Sequence, residues 1–114
     1  MSIDKQLLKG SIKVIVLQIL STTPCHGYLI SEKIKKVTFN EITVSEGTLY
    51  PLLHSLKADG YLTSELQATG DRKRKIYSLT KKGEELLNEK KSEWKNFSSV
   101  IDGLLASFKI EKFI

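Results

Sequence analysis

The sequence predicts a mostly α-helical chain that carries one small β-hairpin and ends in a long helix. Three observations predict this class. Apolar residues recur at helical spacing before residue 60, two strand-like runs flank a loop that contains glycine, and the proline-free stretch after residue 80 is again helical in pattern. A chain of 114 residues is long enough for one domain, or for one domain and an arm, with a real core.

The first two helices are predicted on either side of the breaker STTP. Leu7 to Leu20 is apolar and rich in β-branched residues, and its length of about 14 residues favours a helix over a strand. Thr23 and Pro24 are the expected cap and first residue of a second helix that runs to about Val37. The expected inner side of this second helix consists of Leu29, Ile30, Ile34 and Val37.

The third predicted helix, SEGTLYPLLHSL, contains a glycine and a proline within its first two turns. Ser45 is the expected N-cap, with its hydroxyl accepting a backbone N–H, and ADG ends the helix after roughly 12 to 14 residues. The inward stripe is Leu49, Leu52, Leu53 and Leu56, and the opposite face is Gly47, Pro51, His54 and Ala58, flanked by Thr48, Ser55 and Tyr50. Because this outer face is small, polar and nearly uncharged, we predict that it lies close to another surface.

The hairpin is predicted from the runs YLTSEL and KIYSL, and its tip carries four consecutive basic residues, Arg72, Lys73, Arg74 and Lys75. Thr80 then caps the final helix, whose first turn Gly83 weakens. The apolar residues of this helix fall at spacings typical of a heptad seam: Leu87, Trp94, Phe97, Ile101, Leu104 and Phe108.

Three helices, a hairpin with a basic tip and a long final helix make a winged helix-turn-helix with an added arm. In that architecture the third helix enters the DNA major groove and the hairpin, or wing, reaches the neighbouring backbone. We therefore expect residues 1–80 to form a DNA-binding domain and residues 81–114 to form a dimerisation helix. The net charge of +5 agrees with an acidic partner such as DNA.

The sequence resembles the PadR family of bacterial transcriptional regulators over roughly residues 7 to 105. The matching motifs are ILSTTPCHGYLI, SEGTLYPLLHSLKADGYL and RKRKIYSLTKKGEELL. The resemblance implies that the helix beginning with GTLYP faces DNA. Two features depart from the family pattern: the usual Gly-Arg-Pro-Arg-Lys-Tyr-Tyr run is replaced by Asp71 to Tyr77, with Gly70 displaced by one position, and the final helix is a single short arm, as in compact members.

Two sets of functional residues are predicted. The expected DNA contacts are Ser45, Gly47, Thr48, Tyr50, His54, Arg72, Lys73, Arg74 and Lys75. The expected homodimer contacts are the seam Leu87, Trp94, Phe97, Ile101, Leu104 and Phe108, together with Leu8, Ile12 and Ile15 of the first helix, which the resemblance implies.

Trp94 has two interpretations. It is either a large packed residue at the dimer seam or, as the family resemblance implies, the wall of a pocket between the subunits that stacks on a small planar effector.

The resemblance further implies a repressor, and the helix-turn-helix architecture implies a pseudo-palindromic operator whose half-site centres lie roughly 34 to 36 Å apart. A winged-helix protein-interaction module and a sequence-nonspecific DNA-binding protein are the alternatives.

Other classes of function are not expected. Cys25, His26 and His54 have no metal-ligand spacing, and the sequence holds no recognisable nucleophile, acid-base arrangement or glycine-rich phosphate loop. We therefore expect no metal, no cofactor and no enzymatic activity. The single cysteine and the interrupted apolar run SIKVIVLQIL predict a cytoplasmic protein with neither an intrachain disulfide nor a membrane span.

Overall fold

The computed structural model describes residues 3–107 and confirms the predicted fold class. The elements, in chain order, are α1 (Lys5–Lys9), α2 (Ile12–Thr22), α3 (Gly27–Val37), α4 (Glu46–Ala58), β1 (Leu62–Thr69), β2 (Arg72–Leu79) and α5 (Lys81–Leu105). The two strands form one antiparallel hairpin. Phe108, which was predicted to belong to the dimer seam, lies outside the described residues.

The first predicted helix is divided into α1 and α2. Asp4 caps the short α1, because its carboxylate accepts hydrogen bonds from the backbone N–H groups of Gln6 and Leu7 at 2.8 and 3.3 Å. Gly10 then ends α1, and Ser11 is the N-cap of α2. A glycine between the two segments is poorly suited to continuing a helix, so the single helix expected from the apolar run was wrong at this point.

The start of α3 also differs from the prediction at Thr23 and Pro24. His26 is the N-cap, and its Nδ1 accepts a hydrogen bond from the backbone N–H of Leu29 at 3.2 Å. The residue before it, Cys25, pairs with β2 instead: the backbone N–H groups of Cys25 and Tyr77 donate to each other's carbonyl groups at 3.1 and 2.9 Å. This long-range pairing holds residue 25 in extended backbone and delays the helix by three residues.

The hydrophobic core lies where α2, α3 and α4 meet the base of the hairpin. Ile30 and Ile34 supply the contribution of α3, whereas Leu29 and Val37, which were also expected on the inner side, are exposed. The leucine stripe of α4 faces inward as predicted: Leu49, Leu53 and Leu56 are buried, and Leu52 is partly buried. The inward stripe fixes the direction in which the opposite face of α4 points.

The hairpin is longer and its turn is tighter than the sequence suggested. Leu62 pairs with Leu79 at the base and Thr69 pairs with Arg72 at the tip, so Gly70 and Asp71 alone form the turn. Gly70 adopts φ +63°, a left-handed conformation that favours glycine. The four basic residues therefore lie within β2 and not in a loop, and alternate side chains point to opposite faces of the strand.

The end of α4 and the beginning of α5 are joined by several contacts, which we call the α4–α5 junction (residues 59–61 and 80–83). Thr80 caps α5, since its Oγ1 accepts from the backbone N–H of Gly83 at 3.0 Å and donates to the carbonyl of Gly60 at 2.7 Å. Lys82 donates from Nζ to the carbonyl of Asp59 at 2.7 Å and lies 4.6 Å from the ring centre of Tyr61. The junction connects α4 directly to α5.

Gly83 has a structural role that the sequence did not indicate. A Cβ atom at this position would overlap the carbonyl oxygen of Tyr61 and lie 2.8 Å from Cδ2 of Leu79. Gly83 was expected only to weaken the first turn of α5. Instead, its missing side chain allows α5 to approach the chain at Tyr61 closely.

Candidate nucleic-acid interface

The outer face of α4 is open along the length of the helix. Gly47, Thr48, Tyr50 and His54 are all exposed, opposite the buried leucines. Ser45 occupies the predicted N-cap position, but its hydroxyl donates to Oγ1 of Thr48 at 3.0 Å and not to the helix backbone as a cap would. Both hydroxyl groups therefore lie together at the end of α4 where the positive pole of the helix dipole is found.

Tyr50 is held against α3 by a close approach at Gly27. A Cβ atom on Gly27 would lie 2.6 Å from Cε1 and 2.9 Å from the hydroxyl oxygen of Tyr50. Any larger residue at position 27 would therefore displace the Tyr50 ring. No role for Gly27 was predicted from the sequence, although this glycine lies in the motif ILSTTPCHGYLI.

A groove of about 570 Å³ separates α3 and α4 from the wing. Its walls bring together residues that the sequence analysis predicted and residues that it missed: His26, Gly27, Tyr28, Tyr50, Arg72, Arg74, Lys75 and Tyr77. Three of the four predicted basic residues line this groove, together with Tyr50 of α4. Lys73, Thr48 and His54 are exposed on other parts of the surface. The groove is rich in cationic groups and phenol hydroxyls, both of which bind anionic oxygen atoms.

His26 connects α3 to the wing inside this groove. NH1 of Arg74 lies 3.1 Å from Nε2 and 3.4 Å from Nδ1 of His26, and the His26 ring stacks on Tyr28 with a centroid separation of 6.4 Å. Partial burial, and then the positive charge of Arg74, lower the pKa of His26 below its usual value. The imidazole is accordingly neutral at pH 7.

The far half of α5 carries an apolar surface, which we call the α5 seam: the exposed Trp94, Phe97 and Leu104 and the partly buried Ile101, with Val100 on its flank. Trp94, Phe97 and Leu104 are 54%, 61% and 50% exposed. Val100, at 61%, was missed because it falls outside the strict heptad. The four seam residues Trp94, Phe97, Ile101 and Leu104 keep the heptad-like spacing that was predicted from the sequence.

Other residues that were assigned to the dimer surface belong to the core of the protomer. Leu87 and Ile12 are buried there, and Leu8 and Ile15 are partly buried against the same core. The described chain therefore offers Trp94, Phe97, Ile101 and Leu104 as the open part of the predicted dimer surface.

Trp94 lines a second open groove, of about 410 Å³, between the α1–α2 segment and α5. The walls are Lys9, Gly10, Lys13, Val14, Lys90, Glu93, Trp94 and Phe97. Lys90 forms an ion pair with Glu93 at 3.1 Å, which leaves Lys9 and Lys13 as further positive charges along this groove. We call it the Trp94 groove.

Residues 3–107 form no candidate metal site and no candidate membrane helix. Within that range, no three or more His, Cys, Asp or Glu side chains come together in a way that would hold a metal ion. None of the helices described there is long and apolar enough to cross a membrane.

Comparison with known proteins decides the family. The model of the transcriptional regulator PadR-like family matches residues 16–89, which include α3, α4, the wing and the start of α5. The chain belongs to the PadR family. PadR proteins are transcriptional regulators, a class that implies DNA binding and is not typically enzymatic.

Individual transcriptional regulators that are similar to this chain support this assignment. The chain is 31% identical over 85 residues to transcriptional regulator Rv3488 of Mycobacterium tuberculosis, covering 75% of this chain and 77% of that protein. A PadR-like transcriptional regulator from Bacillus cereus, BC4206, is 36% identical, with a TM-score of 0.77 over 90% of this chain and 99% of the other. A transcriptional regulator from Clostridium thermocellum, Cth-833, is 28% identical, with a TM-score of 0.82 over 89% and 96% of the two chains.

Proposed function

We propose that this PadR protein is a homodimeric repressor that binds a pseudo-palindromic operator sequence-specifically. One observation carries the proposal: Tyr50, on the flank of the uncharged outer face of α4, lines the same groove as Arg72, Arg74 and Lys75 of the basic strand β2. A helix that enters the major groove needs such a face, and a wing beside it supplies phosphate contacts.

The two sets of DNA contacts have different roles in the proposal. Ser45, Gly47, Thr48, Tyr50 and His54 of the α4 region meet the major groove and its edges, where Gly47 permits close approach. Arg72, Lys73, Arg74 and Lys75 neutralise phosphates, with alternate residues of β2 reaching the backbone. Because α4 exposes no Arg, Asn or Gln for a bidentate base contact, DNA shape and half-site spacing contribute to specificity.

The partner that covers the α5 seam is a second copy of the chain. Trp94, Phe97, Ile101 and Leu104 follow each other at intervals of 3, 4 and 3 residues, the spacing at which two helices pack along a common seam. A contiguous exposed apolar surface is characteristic of an interface. The twofold symmetry of such a dimer matches two half-sites of a palindromic operator.

The α4–α5 junction supplies a route by which a signal at the dimer surface reaches DNA. Lys82 and Thr80 of the α5 end are bonded to Asp59 and Gly60 at the end of α4. A change in the angle between the two α5 helices therefore changes the spacing of the two α4 helices. A ligand achieves this only if it binds the two arrangements with different affinity.

The proposed ligand is a small planar aromatic compound bound in the Trp94 groove. The exposed indole provides a surface for stacking, and Lys9 and Lys13 favour a compound that carries negative charge. Phe97 of the α5 seam also lines this groove, so a ligand bound in the groove acts directly on the dimer contact.

Titration of a labelled duplex from the protein's own upstream region, beside a scrambled duplex and at several salt concentrations, tests the function. We expect a preference for the native duplex of about 10³ or more, with affinity that falls steeply as salt rises. Equal binding to both duplexes would favour a nonspecific DNA-binding protein. Binding to neither, combined with capture of a protein partner through α4, would favour a protein-interaction module.

The effector proposal has its own test. The chain has one tryptophan, so planar aromatic acids that enter the groove are expected to quench its emission saturably and to lower the affinity for the native duplex. A Trp94→Leu variant keeps an apolar seam residue and serves as the control, because DNA release by the same compound should disappear. Unsaturable quenching across a broad panel, with no change in DNA binding, would contradict the proposal.

A further inference from the structure

The contact between His26 and Arg74 leaves one ring N–H of the neutral imidazole without an acceptor, because a guanidinium only donates hydrogen bonds. A neutral imidazole has one ring nitrogen that accepts and one that donates. Because Nδ1 accepts from the backbone N–H of Leu29, Nε2 carries the proton. NH1 of Arg74 is 3.1 Å from Nε2 and 3.4 Å from Nδ1, so it lies over the ring and not along the Nε2–H bond.

The Nε2–H group of His26 is therefore a donor that an additional acceptor beside Arg74 would satisfy. The surroundings select the kind of acceptor. Arg72, Arg74 and Lys75 make the groove positive, and Tyr28 and Tyr50 line it with phenol groups. An anionic oxygen is the acceptor that such a site favours, since charge-assisted hydrogen bonds are about twice as strong as neutral ones.

We propose that this groove binds a single DNA-backbone phosphate, held by Nε2–H of His26 together with the guanidinium of Arg74. In this arrangement Nδ1 of His26 continues to cap α3, so one side chain fixes the helix and contacts the phosphate. The bound oxygen takes the acceptor position that Arg74 and Nε2–H leave open in the free protein. This inference rests on the proposed DNA-binding function and adds His26 to its contacts.

The proposal assigns a neutral His26 and a charged Arg74 to the same phosphate. Partial burial, and then the charge of Arg74, hold the pKa of His26 below its usual value, which agrees with a neutral ring. The two contacts therefore differ in one measurable way. Neutralising Arg74 removes a released counterion from the binding reaction, whereas replacing neutral His26 does not.

The test measures affinity for the native and the scrambled duplex against salt for the wild type, His26→Asn and Arg74→Gln. Asparagine is a good N-cap but lacks the reach of Nε2–H. We expect His26→Asn to weaken binding to both duplexes about tenfold with an unchanged salt slope. We expect Arg74→Gln to reduce the salt slope by about 0.9.

Two controls exclude indirect effects. His26→Ser, which also carries an N-cap side chain, should behave like His26→Asn, and both should unfold at temperatures close to that of the wild type. Lys91→Gln removes an exposed charge on α5, away from the groove, and should leave the salt slope unchanged. In the double variant His26→Asn/Arg74→Gln, the fold-loss of DNA affinity should be smaller than the product of the fold-losses in the two single variants, because both residues hold one phosphate.

Three outcomes would overturn the inference. These are wild-type affinity in both His26 variants, a reduced salt slope in His26→Asn, and losses that multiply fully in the double variant. Failure of the proposed repressor is distinguishable, because it appears as equal wild-type affinity for the two duplexes. A wild type that binds neither duplex at any salt concentration overturns both.

Discussion

Replacing Phe97 by glutamate is expected to convert the proposed dimer into monomers and to lower affinity for the native duplex about 100-fold or more, because a bivalent protein loses its second attachment. Phe97 lies in the middle of the α5 seam and is 61% exposed in the protomer. Two glutamates at equivalent places in a symmetric interface would bring like charges into an apolar contact. Glutamate is a good helix former, so α5 itself should persist.

Sedimentation velocity measures the oligomeric state, and titration of the native duplex measures the affinity. Ser99→Glu is the matched control, since it introduces the same side chain at an exposed position on the opposite side of α5. This control should remain dimeric. A Phe97→Glu protein that is still dimeric and binds the duplex normally would show that the α5 seam is not the dimer interface.

Gly83→Ala is expected to lower the free energy of unfolding by about 3 kcal/mol, the upper part of the range for overpacking. The new methyl group would collide with the backbone carbonyl of Tyr61, and backbone cannot rotate away as a flexible side chain does. To relieve the overlap, α5 must move, which disturbs the hydrogen bonds that Thr80 and Lys82 make across the α4–α5 junction.

Urea denaturation at one fixed protein concentration measures this effect, because the stability of the proposed dimer would depend on concentration. Gly47→Ala is the control: it adds the same methyl group to a helix at a position where no neighbouring heavy atom lies within 4 Å. Alanine is a better helix former than glycine, so this control should unfold at an equal or higher urea concentration. Equal stability of Gly83→Ala and the wild type would contradict the role assigned to the junction.

Local patterns in the sequence were sufficient to predict the main elements of the fold. The leucine spacing of α4 depends only on residues within 13 consecutive positions, and it correctly predicted which face is buried. The ADG sequence that ends α4 and the two strand-like runs of the hairpin also depend only on residues that are neighbours in the chain. The predicted end of α4 agrees with the structure because Gly60, with φ +83°, adopts a conformation that favours glycine.

The errors lie where contacts between distant residues override local preference. Pro24 is a good first residue of a helix, yet the pairing of Cys25 with Tyr77 postpones α3 to Gly27. Burial also raises the pKa of the Cys25 thiol, a property that its position in the chain does not reveal. Leu29 fits the inner periodicity of α3 but is exposed, because the core meets a narrower strip of that helix than the pattern implies.

The sequence by itself determined the fold class, the family resemblance, the GTLYP motif of α4 and the apolar spacing of α5, because each is encoded by residues close together in the chain. The tertiary structure decided which side chains share a site. It placed Gly27 under Tyr50 and brought His26 to Arg74, which is 48 positions away. It also placed Leu87 in the protomer core while leaving Phe97 open. These relations depend on how the helices and the hairpin pack, and no local period encodes that geometry.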